Sequence, residues 1–271
     1  TNTGRITAVE DAVQVATGDI TNTGIIESTD PDGGGDGLDI DDGSVTNSGV
    51  ISAVDGAGID VDGPVADEDD PNPMDVGDLT IENSGTIRGL IGIQVETESF
   101  TEDGEAFFPN DRAQIIDNSG IIEGTEGTAM LLGAGEDSLT LLDGAQVIGE
   151  TLFGDDDDLL AFEAMQTVDG YDSRFDGGAG TDRAEFAFDL SFLRTSTQIA
   201  PNTVSLGFFG TDVDFDVTLA NFETFHIGGI GGENFTFDQV VAAAPAIPLP
   251  AGVWLLGGGL AGLVWLRRRA A

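Results

Sequence analysis

One eight-residue phrase recurs along this chain and limits what the chain can fold into. It opens the sequence as Thr1-Asn2-Thr3-Gly4-Arg5-Ile6-Thr7-Ala8 and returns as Thr21-Asn22-Thr23-Gly24-Ile25-Ile26-Glu27-Ser28. Three more copies follow: Thr46 to Ala53, Glu82 to Gly89 and Asp117 to Gly124. In every copy the asparagine (Asn2, Asn22, Asn47, Asn83, Asn118) precedes a glycine by two and an isoleucine by four. A repeat of this kind indicates one supersecondary unit used several times, each burying its apolar face against its neighbours.

Each unit holds two further apolar segments. One reads small, apolar, polar, apolar: Ala12-Val13-Gln14-Val15, Gly37-Leu38-Asp39-Ile40, Gly58-Ile59-Asp60-Val61 and Gly92-Ile93-Gln94-Val95, with Gly127-Thr128-Ala129-Met130 as a weaker fifth copy. The other is a single apolar residue two before each later asparagine: Ile20, Val45, Ile81 and Ile116. Short alternating strands separated by Gly, Asn and Asp predict three strands per unit with turns between them. That pattern predicts an all-β, right-handed parallel β-helix over residues 1–170, in which Asn2, Asn22, Asn47, Asn83 and Asn118 form a ladder of amides.

The Asn-Ser-Gly-x-Ile phrases resemble the β-helical passenger regions of bacterial autotransporters and haemagglutinin-like adhesins. That resemblance implies an architecture and an exported, adhesin-like, non-catalytic role. The repeat glycines Gly4, Gly24, Gly49, Gly85 and Gly120 are 20, 25, 36 and 35 residues apart. The longer gaps carry insertions at Asp30 to Asp36, Gly63 to Asp78 and Thr97 to Arg112. Insertions in such repeats become loops on one face, often a binding face; acidic, solvated loops without a partner are the alternative.

Charge narrows the partners. The chain has 50 acidic residues against nine arginines and no lysine, for a net charge of −41. A nucleic-acid surface would be basic, so nucleic acid is excluded as a partner. So acidic a body repels itself unless salt or divalent cations relieve it. With no cysteine, no lysine and His226 as the only histidine, thiol, Schiff-base and His-cluster metal chemistry are excluded. Paired carboxylates leave a β-helix polysaccharide lyase or hydrolase as a lesser alternative, although the arginines that would hold an anionic sugar are scattered.

From Gly133 the phrasing changes. Gly133-Ala134-Gly135-Glu136-Asp137-Ser138-Leu139 and Gly177-Gly178-Ala179-Gly180-Thr181-Asp182 flank Gly154-Asp155-Asp156-Asp157-Asp158, with Asp156 where the pattern wants glycine. These stretches resemble the Gly-Gly-x-Gly-x-Asp nonapeptides of RTX proteins, which implies calcium at Asp137, Asp156, Asp158 and Asp182. The copies are 21 and 24 residues apart instead of in tandem. Those are also unit lengths, so Asp137, Asp158 and Asp182 would stack in one column, bridged by a cation or serving as turn residues only. The first reading makes the protein a calcium-dependent matrix or polysaccharide-binding protein.

Thirteen of the 16 phenylalanines lie beyond residue 150. Alternation at Phe186, Phe188, Leu190 and Phe192, and again from Val213 to Leu219, predicts longer strands with one wet face. They would form a Phe-rich β continuation or cap over 171–240, with His226 facing outward between Phe225 and Ile227. An Ala/Pro linker follows at 241–250.

Residues 251–266 carry no charge and end at Arg267, Arg268 and Arg269. This predicts a short transmembrane helix with its basic end cytoplasmic. Ile247-Pro248-Leu249-Pro250-Ala251, the apolar stretch and the arginine cluster together resemble the VPLPA variety of the C-terminal sorting signals handled by exosortases in Gram-negative bacteria. That resemblance implies an exosortase-type processing enzyme as partner, an inner-membrane intermediate held through 251–266, and a final place at the cell surface or in the extracellular matrix. The chain begins inside a repeat phrase without methionine, so a preceding secretion signal and further repeats are expected.

Overall fold

The computed structural model describes residues 1–31, 34–63, 65–66, 77–97, 99–102, 105–165, 173–209, 214–229 and 231–243. The sorting motif Ile247 to Ala251, the apolar stretch 251–266 and Arg267 to Arg269 lie outside the described residues. Among those described, no helix is long and apolar enough to cross a membrane.

Among the described residues the protein is mostly β, with 20 strands in one sheet. Two series of strands run through it. The first contains Val13–Asn22, Leu38–Asn47, Leu79–Asn83, Gln114–Asn118, Ser138–Leu141, Leu159–Phe162, Arg183–Phe186 and Thr224–Ile227, each parallel to the next. The second contains Arg5–Ala8, Ile25–Ser28, Val50–Ser52, Thr86–Val95, Ile121–Leu131, Gln146–Asp155, Arg174–Ala179 and Asp214–Ala220, again parallel in order. Ile59–Val61 lies between Leu38–Asn47 and Thr86–Val95. Every parallel partner is therefore the equivalent segment of the neighbouring unit.

That register lines up like residues. Ile26, Ile51, Ile87 and Ile122 form one buried column. Val45, Ile81, Ile116, Leu139, Leu160, Ala184 and Phe225 form a second. Burying each large aliphatic side chain contributes about 1.5–3 kcal/mol. A one-residue slip would turn a whole column outward, so the alternation specifies the register strongly.

The glycines of the phrase also line up. A Cβ on Gly24 would lie 2.0 Å from the Gly4 carbonyl oxygen, and one on Gly85 would lie 2.1 Å from that of Gly49. Backbones of successive units approach too closely there for any side chain, which explains the fixed Asn-x-Gly spacing.

The structure departs from the sequence pattern in four places. The fifth small-apolar-polar-apolar copy is Ala129 to Leu132, since Met130 pairs with Ile93 and Leu131 with Gln94. A register shift between Gly124 and Thr128 absorbs the extra residues, with Gly127 at φ 104°. Phe186 to Phe192 is not one strand: Arg183–Phe186 ends there, and Leu190–Phe192 is a 3-10 turn capped by the Asp189 side chain. Residues 241–243 belong to the helix Phe237–Ala243 rather than to a linker. Finally, two insertions meet, because Val65–Ala66 pairs with Glu105–Phe107, which pairs with Phe100–Glu102 in a separate antiparallel sheet.

At the C-terminal end the pairing turns antiparallel. Leu193–Ala200, Thr203–Phe209 and Asp214–Ala220 form a meander, and Thr224–Ile227 pairs back on Glu233–Thr236. Here phenylalanine fills the interior. Phe162 and Phe186 stack with ring centroids 5.0 Å apart, and Phe188 packs edge-on to Phe208 at 4.8 Å. Such contacts add about 0.5–1.5 kcal/mol each beyond burial.

Candidate functional site

The structure places the five asparagines in one row. Each Nδ2 donates to the Oδ1 of the next: Asn2 to Asn22 at 2.8 Å, Asn22 to Asn47 at 2.8 Å, Asn47 to Asn83 at 2.9 Å and Asn83 to Asn118 at 2.8 Å. Each Oδ1 also accepts from the backbone N–H two residues on, as Asn83 does from Gly85 at 3.2 Å. Asn22, Asn47, Asn83 and Asn118 are buried, so these bonds satisfy groups that water cannot reach. Beyond Asn118 the same position becomes Leu141, Phe162, Phe186 and Ile227, and the row turns apolar.

Asp137, Asp158 and Asp182 also come together, at the start of three consecutive strands of the first series. Asp158 Oδ1 accepts from the Asp137 N–H at 2.8 Å, and Asp182 Oδ1 from the Asp158 N–H at 2.9 Å. Asp137 Oδ1 accepts from the Gln114 N–H at 2.7 Å, while Glu223 Oε2 accepts from the Asp182 N–H at 2.8 Å. The three side chains are 1%, 2% and 0% exposed, and each Oδ2 is buried without a hydrogen-bond partner. Asp156 is not in the column. It is exposed in the turn at φ 80°, the conformation for which glycine is the usual residue.

Burial pushes the Asp137 carboxyl up to about 9 and that of Asp158 up to about 8, each against a backbone N–H that lowers it. Asp182 rises for the same reason to about 6. The arrangement does not fit a calcium cage. Calcium takes six to eight oxygens at once, whereas here each aspartate spends Oδ1 on a backbone N–H and leaves one unbonded oxygen, Oδ2.

Among the described residues, carboxylates do converge elsewhere. Oxygens of Asp39, Asp41 and Asp62 lie within 4.8 Å of one another. Asp39 stands beside Asp60 across the parallel pair and accepts from Gln14 Nε2 at 2.7 Å. Burial, then the neighbouring Asp62 charge, pushes Asp39 to about 6 and Asp41 to about 7. Burial and the surrounding acids take Asp60 to about 9. Sequence reasoning missed this group because its members are brought together only by stacking. The Asp39-Ile40-Asp41 and Asp60-Val61-Asp62 stretches, in equivalent places of successive units, were the available signal.

His226 is half-buried on the outer face, between buried Phe225 and Ile227. Its Nδ1 lies 2.8 Å from Asn234 Oδ1 and its Nε2 2.6 Å from the Gly229 carbonyl oxygen. Those two acceptors raise its pKa and occupy both ring nitrogens. His226 borders a cavity of about 530 Å³ with Glu163, Arg183 and Glu185, where Arg183 is 2.7 Å from Glu185.

No family model, curated protein or solved structure matches this chain.

Proposed function

We propose that this chain is a right-handed parallel β-helix and serves as an exported, non-catalytic, adhesin-like protein of a Gram-negative cell surface or extracellular matrix. The observation that carries the architecture is the order of parallel pairing. Equivalent segments of successive units pair in two series, so the chain returns to the same side once per unit. Parallel connections of this sort are right-handed in nearly all proteins. The rod would present its acidic loops outward, while the Pro-containing segment Ile247 to Ala251, the apolar stretch and Arg267 to Arg269 serve as a sorting signal. The body would leave the cytoplasm and be held in the inner membrane through 251–266. An exosortase-type enzyme would then release it near Pro250. The segment suits processing, since residues before proline favour extended backbone.

The experiment is intact-mass measurement of the protein extracted from its native surface. A product ending near Pro250 is expected, and replacing Pro248 and Pro250 by alanine should leave an uncleaved inner-membrane form. A mature species that still ends in Arg267-Arg268-Arg269-Ala270-Ala271 refutes the processing.

A calcium-dependent matrix or polysaccharide-binding protein is the second reading. The convergence of Asp39, Asp41 and Asp62 favours it, since clustered carboxylates suit a hard cation with oxygen preference. Calcium should then raise the melting temperature beyond what sodium does at equal ionic strength, and Asp41→Asn should remove that excess. Equal shifts with both salts would leave only general screening.

A further inference from the structure

We infer that the Asp137–Asp158–Asp182 column is carried in the fold as uncharged carboxylic acid groups, so that the stack is a proton-dependent device that loosens as its protons leave. The inference does not depend on export or adhesion. It rests first on three aligned orphan oxygens. Each aspartate commits Oδ1 to the N–H of the neighbouring unit, and each Oδ2 is fully enclosed with nothing to bond it. An ionised carboxylate in that position would be a charge closed off from bulk solvent among acidic neighbours, which costs far more than a buried neutral acid. Three such charges one strand apart would also repel one another.

The charged neighbours that act on the three carboxyls are acidic. Asp156 faces Asp137 and Asp158, Asp157 faces Asp158 and Asp182, and Asp176 and Glu223 face Asp182. Arg183, next to Asp182 in the chain, pairs with Glu185 at 2.7 Å. Gly177 closes the Asp182 end: a Cβ there would lie 2.6 Å from Asp182 Oδ2.

The sign of the pH dependence follows. The folded carboxyls titrate near 9, 8 and 6 against an ordinary value of 3.8. Their contribution to stability is therefore complete below about pH 4 and is lost as pH rises through 6, 8 and 9. Above that range the proton has gone to solvent and the column holds repelling charges.

The test is thermal unfolding of the full chain, with chelator and constant ionic strength, across about pH 5 to about pH 9. It compares wild type, Asp158→Asn and, as a control for the second acidic group, Asp41→Asn. Asparagine keeps the Oδ1 acceptor and never ionises. The melting temperature of wild type should fall steadily with pH, and that of Asp158→Asn should fall less above about pH 7, with Asp41→Asn leaving that difference in place. Infrared spectroscopy supplies a second readout: at neutral pH wild type should show a protonated-carboxyl C=O band that fades towards pH 9, and Asp158→Asn should show a weaker one. Absence of that band in folded wild type overturns the inference. So do parallel pH profiles for wild type and Asp158→Asn, or abolition of the wild-type slope by added calcium.

Discussion

At the scale of single residues, asparagine and glycine in the repeated phrase do separate jobs. The amide of Asn83 donates to Asn118 and accepts from Asn47, so removing it leaves buried partners on both sides. Asn83→Ala should destabilise by about 1–3 kcal/mol for each group left unpaired. Asn2→Ala, at the half-exposed end of the row, should cost less in the same chemical denaturation. A wild-type midpoint for Asn83→Ala would mean that the row carries no stability. The glycines answer to space alone. Gly85→Ala must push a methyl group into the Gly49 carbonyl, and overpacking of that kind costs about 1–3 kcal/mol. Gly18→Ala, where nothing lies within 4 Å of the new atom, should unfold like wild type. The Asn-x-Gly spacing was plain in the sequence, whereas the close backbone approach behind it becomes visible only once units are stacked.

At the scale of elements, the interior changes character along the stack. Where Asn118 gives way to Leu141 and Phe162, directional amide bonds give way to ring packing. Phe162 touches Phe175, Phe186 and Phe215, so it ties two parallel strands to the antiparallel meander. Phe162→Ala should cost about 3–5 kcal/mol and should expose the C-terminal elements first. Hydrogen exchange would read this as early loss of protection in Thr203–Phe209 and Asp214–Ala220; uniform loss across all strands would show that the meander is not a separate unit. The sequence called for strands through 185–192, but the chain turns after Phe186, and Phe188 packs on Phe208 and Phe215 of the meander. Periodicity alone does not distinguish a strand from a turn that buries the same alternate residues.

At the scale of the whole molecule, acidity dominates. Cross-strand ion pairs such as Arg88 with Glu123 at 3.3 Å use some of the few cations, and such exposed pairs contribute little. Added sodium chloride should therefore raise the melting temperature by screening self-repulsion. A melting temperature independent of salt would show that the charges are spread widely enough not to interact. Burial raises the pKa of Asp36, Asp41 and Asp60 to about 7, 7 and 9. Folded values above unfolded ones mean that their contribution, like that of the Asp137 column, is lost as pH rises from about 4 towards 9. This acidic protein should therefore be most stable in mild acid.

The sequence by itself determined the repeating unit, its β character and its apolar columns, because a period-2 alternation with a fixed Asn-x-Gly phrase leaves few ways to bury those residues. It also determined that Asp137, Asp158 and Asp182 sit one unit apart. Only the tertiary structure decided what those carboxyls do. Whether an aspartate faces water, a cation or a closed interior depends on the neighbouring strand. Asp39, Asp41 and Asp62 converge, and Asp137, Asp158 and Asp182 line up singly, because burial and distance across the stack are set by segments more than 20 residues away.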